Sequence, residues 1–144
     1  LPRHYLVRTS WVIGEGRNFV RTMADLAAKG INPSVVSDQY GRLTFTSDLA
    51  AGIVHLLSTS ASPGTYNLTN DGPTVSWFDI ARTVFEMVGR EPSDVTATTT
   101  AEYGAGKQLA PRPVHSTLDL GRIVEAGFAP TDWREQLVEY LQES

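Results

Sequence analysis

The segment Tyr5-Leu-Val-Arg-Thr-Ser-Trp-Val-Ile-Gly14 constrains this chain more than any other stretch of it. Tyr5, Leu6 and Val7 form an apolar run of β-favouring residues that delivers Arg8, Thr9, Ser10 and Trp11 to its carboxyl end. A glycine-bearing turn and a helical pattern follow. Strand, turn and helix in that order belong to α/β proteins, whose ligands sit just outside the carboxyl ends of strands. Taken alone, Trp11 reads as a core residue, because most tryptophans are largely buried. Its place after a polar triplet at a strand end makes it a binding candidate instead, since a flat indole suits the C–H face of a sugar.

A length of 144 residues suits one domain, or part of a larger one, and is enough to bury a core. Hydrophobic content of 41% with 19% charged residues describes an ordinary globular protein. No apolar run approaches the roughly 18 residues of a membrane span, and Leu-Pro-Arg-His is no signal peptide. Without cysteine there are no disulfides and no thiolate metal sites, which fits a reducing cytoplasm. His4, His55 and His115 show no ligand spacing, so no metal site is expected. A net charge of −4 argues against a nucleic-acid surface. An anionic ligand would need a local arginine cluster, and Arg42 and Arg112 both lie in loops. Each reads equally as a phosphate contact or a solvated surface arginine.

Along the chain, Asn18 predicts a cap for a helix from Phe19 to Lys29, with Phe19, Met23, Leu26 and Ala27 inward and Gly30 as the stop. Val35-Val36 reads as a short buried strand, and Thr44-Phe45-Thr46 as extended. Thr46 or Ser47 is expected to cap a second helix over Asp48–Leu57, with Leu49, Ile53, Leu56 and Leu57 at helical spacing. Residues 64–70 alternate like a half-buried strand ending in an Asn-Asp-Gly turn. Ser76 and Asp79 form the signature of a capping box, followed by an apolar stripe of Trp77, Ile80, Ala81, Val84, Phe85 and Val88. A strand is expected over Val95–Thr98, a long loop through Gly104, Gly106, Pro111 and Pro113, and a short helix over Asp119–Ala126. A last helix begins with Asp132 and Glu135 as a second capping box and turns Trp133, Leu137, Val138 and Leu141 inward. The whole reads as mixed α/β, with too few strands for the roughly six of a complete nucleotide-binding sheet.

Two motifs mislead. Gly14-Glu-Gly16 mimics the start of a dinucleotide fingerprint, yet Phe19 stands where a small residue must let helix and strand approach. Tyr103-Gly-Ala-Gly-Lys107 matches a Tyr-x-x-x-Lys pair formally. That pair needs a helical turn to set an ammonium beside the phenol, and two glycines in the turn oppose it at about 1 kcal/mol each.

Other segments agree with one another. Arg8 to Ile13, Asn18-Phe19, the run Asp38-Gln39-Tyr40-Gly41-Arg42-Leu43-Thr44, Asp48-Leu49-Ala50, Gly64-Thr-Tyr-Asn-Leu68, Trp77-x-Asp79 and Arg112-Pro113 with Ser116-x-Leu118 follow in that order. This resembles the C-terminal, substrate-binding half of the dTDP-4-dehydrorhamnose reductase family, which are extended short-chain dehydrogenases/reductases. Two positions depart from the family: Ile13 stands for a tyrosine and Leu43 for a proline. The resemblance implies that residues 1–144 are one substrate-binding domain, the mixed α/β portion of a Rossmann-type reductase lacking most of the Rossmann sheet. It implies reduction of dTDP-4-dehydro-6-deoxy-L-mannose to dTDP-L-rhamnose, with Trp11 against the sugar, Thr9 and Ser10 near the reacting centre, and the loops of Arg42 and Arg112 toward the nucleotide and diphosphate. Arg8 is implied to pair structurally with a carboxylate or loop carbonyls. The N-terminal Rossmann half, with NAD(P)H and the catalytic residues, is expected upstream, and no catalytic residue is expected here. The isolated chain is therefore expected to be inactive, and the full-length protein a cytoplasmic enzyme of cell-wall polysaccharide synthesis, possible as a homodimer. Two alternatives stay open: a non-catalytic regulatory module of the same fold, or part of another nucleotide-sugar epimerase or dehydratase.

Overall fold

A computed structural model describes residues 3–106 and 112–143. The elements run β1 (Tyr5–Arg8), β2 (Val12–Ile13), α1 (Phe19–Ala28), β3 (Ser34–Val36), β4 (Tyr40–Gly41), β5 (Thr44–Phe45) and α2 (Thr46–Ser58). They continue with β6 (Gly64–Asn67), β7 (Val75–Ser76), α3 (Trp77–Met87), a 3-10 turn (Pro92–Asp94), β8 (Thr96–Thr98), α4 (Thr100–Tyr103), α5 (Gly121–Glu125) and α6 (Trp133–Glu143). The chain forms two compact units. The first is built from Leu1–Gly14, Arg42–Pro73 and Thr117–Ser144, the second from Glu15–Gly41 and Thr74–Ser116.

In the first unit β1 pairs in parallel with β6, Tyr5 opposite Gly64 and Arg8 opposite Asn67. A parallel pair needs a crossover, and α2 lies on it in the sequence. β2 pairs in parallel with β5, setting Val12 opposite Thr44 and Ile13 opposite Phe45. Leu56, Tyr66, Leu68, Leu120 and Ile123 form a buried cluster. Helix α2 differs from its expected form in its start and in its buried face. It starts at Thr46, with Phe45 as its N-cap and no side-chain cap of its own. The Phe45 N–H donates instead to Oδ1 of Asn70, 2.7 Å away. Of the predicted stripe only Leu56 is buried; Ile53 and Leu57 are 38% and 63% exposed. Gly52 is buried because a methyl there would overlap the Leu68 side chain, so the helix interior gives up propensity for close approach.

Asn70 is fully buried and fully used. Its Nδ2 donates to Asp48 Oδ2 at 2.8 Å and to the Thr131 carbonyl at 3.0 Å. Helix α6 is capped by Asp132, whose carboxylate accepts the Arg134 N–H at 2.8 Å and pairs with the Arg134 guanidinium at 2.7 Å. The cap thus runs to Arg134 rather than through the expected Glu135 box. Val138 is 41% exposed, whereas Trp133 and Leu137 are buried.

The second unit follows its sequence pattern closely. Asn18 caps α1 by accepting the Arg21 N–H at 3.0 Å, and Gly30 ends it at φ 72°. Val20, Met23 and Ala27 are the buried residues of α1, while Phe19 and Leu26 are only half-buried. Ser76 and Asp79 form the predicted capping box of α3. β3 pairs in parallel with β8, and β4 antiparallel with β7. Arg90 donates to the Ala27 carbonyl at the end of α1 (2.8 Å), to Asn32 and to Asp94, and lies over the Phe85 ring. A cation at a helix C-terminus meets both the unpaired carbonyls and the negative dipole end. Helix α4 lies just before the loop expected through Gly104 and Gly106. It is capped locally by Thr99, whose hydroxyl accepts the Glu102 N–H at 3.1 Å, and Asp38 ties down its first residue by accepting the Thr100 N–H (2.9 Å) and hydroxyl.

Asn70→Ala is expected to lower unfolding free energy in urea by about 3 kcal/mol, because a buried N–H loses its acceptor and two acceptors lose their donor. Asn70→Asp should be comparably damaging, since it would face Asp48. The Asp132 carboxyl is held below its ordinary range, first by the hydrogen bond from the Arg134 side chain. A lowered folded-state pKa contributes stability above the unfolded value that is lost as pH falls through the folded one. Asp132→Asn should therefore flatten the acid limb of a melting-temperature profile and leave its neutral-to-alkaline part parallel to wild type.

Candidate functional site

In the first unit, β1 ends at Arg8 and the chain turns through Thr9, Ser10 and Trp11 before β2. Trp11 is half-buried and has φ 51°, a left-handed backbone for a residue with a bulky side chain. Such a conformation costs roughly 1–2 kcal/mol and persists only where its surroundings impose it, a pattern common at ligand sites. The imposing residue is Thr44, which is fully buried. Its N–H donates to the Trp11 carbonyl (3.0 Å) and its hydroxyl to the Ser10 carbonyl (2.6 Å). Ser10 is half-buried and Thr9 exposed. Ile13 and Leu43, the two departures from the family pattern, are both core residues, 2% and 0% exposed.

Arg42 belongs to the same unit and is committed within it. Its Nη1 pairs with Asp71 at 3.1 Å and its Nη2 donates to the Leu118 carbonyl, leaving the side chain 12% exposed. Arg8 is exposed, and the pairing expected for it is not formed with any described residue.

The second unit holds Arg112, which is exposed and engaged by no hydrogen bond or ion pair among the described residues. The chain just after it is clamped to β4. Tyr40 N–H donates to the Val114 carbonyl and Ser116 N–H to the Tyr40 carbonyl, both at 2.7 Å, and the His115 ring stacks on Tyr40 with centroids 5.3 Å apart. Arg112 therefore stands two residues from a fixed point, with Pro113 restricting its own backbone. This clamp was invisible in the sequence.

Phe19 packs on Trp77 at 4.6 Å, and a Cβ at Gly14 would meet the Thr46 side chain, so both positions serve local packing. Tyr103 ends α4 before a glycine turn, and Lys107 lies outside the described residues. Among the described residues no three His, Asp or Glu side chains come together as metal ligands.

The RmlD substrate binding domain model matches residues 1–144. The chain belongs to that family. It is 45% identical over 139 residues to the spore coat polysaccharide biosynthesis protein SpsK of Bacillus subtilis, covering 96% of this chain and 47% of that protein. It is 39% identical to the dTDP-4-dehydrorhamnose reductase of Mycolicibacterium smegmatis, covering 94% of this chain and 41% of that protein. Among solved structures, the dTDP-4-dehydrorhamnose reductase of Bacillus anthracis str. Ames in complex with NADP superimposes with a TM-score of 0.85 at 36% identity, over 97% of this chain and 48% of that one. The chain thus spans about half the length of the relatives it matches, and its mixed α/β fold is that of the reductases.

The strain at Trp11 is directly measurable. Trp11→Gly is expected to be at least as stable in urea as Trp11→Ala. Relief of a left-handed backbone, roughly 1–2 kcal/mol, exceeds the extra flexibility of glycine, about 0.5–1 kcal/mol. A clearly more stable alanine variant would mean that the loop escapes the left-handed region.

Proposed function

We propose that this chain is the substrate-binding part of a dTDP-4-dehydrorhamnose reductase, holding a dTDP-deoxysugar while the complete enzyme reduces its 4-keto group to give dTDP-L-rhamnose. The observation that carries the reading is Trp11, a half-buried indole kept in a strained backbone at the carboxyl end of β1 by a buried threonine. A residue serving only the core has no need of that strain. Thr9 and Ser10 precede the indole with hydroxyls suited to a hydroxylated ring, and Arg112 is a guanidinium with no partner among the described residues, suited to diphosphate oxygens. Arg42 is the weaker phosphate candidate, because binding would compete with Asp71 and the Leu118 carbonyl.

When bound, NAD(P)H supplies the hydride, and its site belongs to an upstream Rossmann half rather than to these residues. Exposed Leu6 (53%) in β1 and Val12 (45%) in β2 support that reading, since apolar strand residues left in water are what a further layer of structure would cover. A cytoplasmic location goes with chemistry that consumes a nucleotide-activated sugar and a reduced dinucleotide. Among the described residues, no helix is long and apolar enough to cross a membrane.

Calorimetric titration with dTDP and with dTDP-L-rhamnose tests the proposal. Trp11→Ala should weaken dTDP-L-rhamnose by about 1.5 kcal/mol and leave dTDP nearly unchanged. Arg112→Ala should weaken both by about 1.5–3 kcal/mol, the scale of hydrogen bonds to charged groups, and that loss should shrink as salt rises. Wild-type protein that binds neither compound would remove the sugar-nucleotide reading and leave the regulatory module.

A further inference from the structure

We propose that Thr44 is a positioning residue for substrate recognition, setting the direction of the Trp11 indole through the two carbonyls it holds. The inference rests on the sugar-binding reading of Trp11 and adds to it the residue on which that reading depends.

In an extended strand successive carbonyls point to opposite sides, so one residue cannot hold both. Thr44 holds the carbonyls of Ser10 and Trp11 together, one through its hydroxyl at 2.6 Å and the other through its N–H at 3.0 Å. The backbone between those carbonyls must turn, and it does so at Trp11, with φ 51°. The direction in which the indole leaves the loop is fixed by that turn. Thr44 is itself immovable. It lies in β5, pairs with Val12 across the β2 ladder and is fully buried. Phe45, the next residue, is fastened by Asn70.

The side chain matters in two parts. Its hydroxyl donates to Ser10, whereas its methyl fills space that is closed to water. Valine keeps the shape and removes the donor; serine keeps the donor and removes the methyl. A residue needed only for packing would tolerate valine better than serine. A residue needed to hold the Ser10 carbonyl would show the reverse.

Replacing tryptophan by 5-fluorotryptophan gives a ¹⁹F signal for each of Trp11, Trp77 and Trp133, with that of Trp11 assigned by its loss in Trp11→Phe. Thr44→Val is expected to shift or broaden the Trp11 signal and leave the other two in place, and Thr44→Ser to restore it. In titrations with dTDP-L-rhamnose, Thr44→Val should bind about fivefold more weakly, the equivalent of one ordinary hydrogen bond, with Thr44→Ser close to wild type. In a Trp11→Ala background, Thr44→Val should add no further loss. The same readings on Thr44→Ala carry the test should the valine variant lose its fold. An unmoved Trp11 signal, or equal movement of all three signals, overturns the proposal. Wild-type affinity in Trp11→Ala with a shifted Trp11 signal in Thr44→Val would instead remove the sugar contact while leaving the positioning of the indole in place.

Discussion

The buried amide of Asn70 is the interaction on which the first unit depends. It ties together two segments far apart in sequence: the start of α2, through Phe45 and Asp48, and the approach to α6, through Thr131. An amide placed out of water is costly unless each of its groups is matched, and here both the carbonyl and the NH2 find partners. The consequence reaches the loop of Ser10 and Trp11. Fixing Phe45 fixes its neighbour Thr44, and Thr44 holds the carbonyls that force Trp11 into its left-handed turn. Tyr140 adds a further tie, donating to the Gly14 carbonyl at 2.7 Å while its ring packs on Phe45. The strained tryptophan is thus the last link of a chain of buried polar contacts, each specific in direction where apolar packing would not be.

Electrostatics divide the arginines by duty. Arg42 and Arg90 each satisfy a carboxylate together with backbone carbonyls or an amide, and so act as cross-links within their units. The planar fork of guanidinium makes such multiple bonding possible, and an arginine spent in this way has few donors left for a phosphate. Arg112 has no such engagement among the described residues, and the clamp of Tyr40 on Val114, two residues on, holds the chain beside it. A net charge of −4 is therefore no obstacle to an anionic ligand, because what counts is the local disposition of a few cations.

Much of this molecule was legible in the sequence wherever a signal is local. The Asn18 cap, the Gly30 stop, the Ser76–Asp79 box and the strand ending at Arg8 all follow from side chains that act within a few residues of themselves. The family, too, could be read from the order of Arg8-Thr-Ser-Trp11, the 38–44 run and the Arg112-Pro113 segment. Contacts between residues distant in the sequence are not legible in this way. Asn70 receives the N–H of Phe45, the N-cap of α2, from 25 positions away, and Asp38 fastens Thr100 at the start of the locally capped α4 across 62. Leu49, Ile53, Leu56 and Leu57 share helical spacing in α2, yet Ile53 and Leu57 meet water, since periodicity shows which residues share a face and not what covers it.

The same division holds for the site. Sequence alone determined the residue types available at the strand end, hydroxyls followed by an indole, and hence the class of ligand they suit. Only tertiary structure decided which of them are poised. It placed Arg42 in an ion pair, left Arg112 in solvent beside a clamped loop, and set Trp11 in a conformation that no local propensity favours. A left-handed tryptophan has no sequence signature, because its cause is the pair of donors on Thr44, brought from 33 residues away by β-sheet pairing.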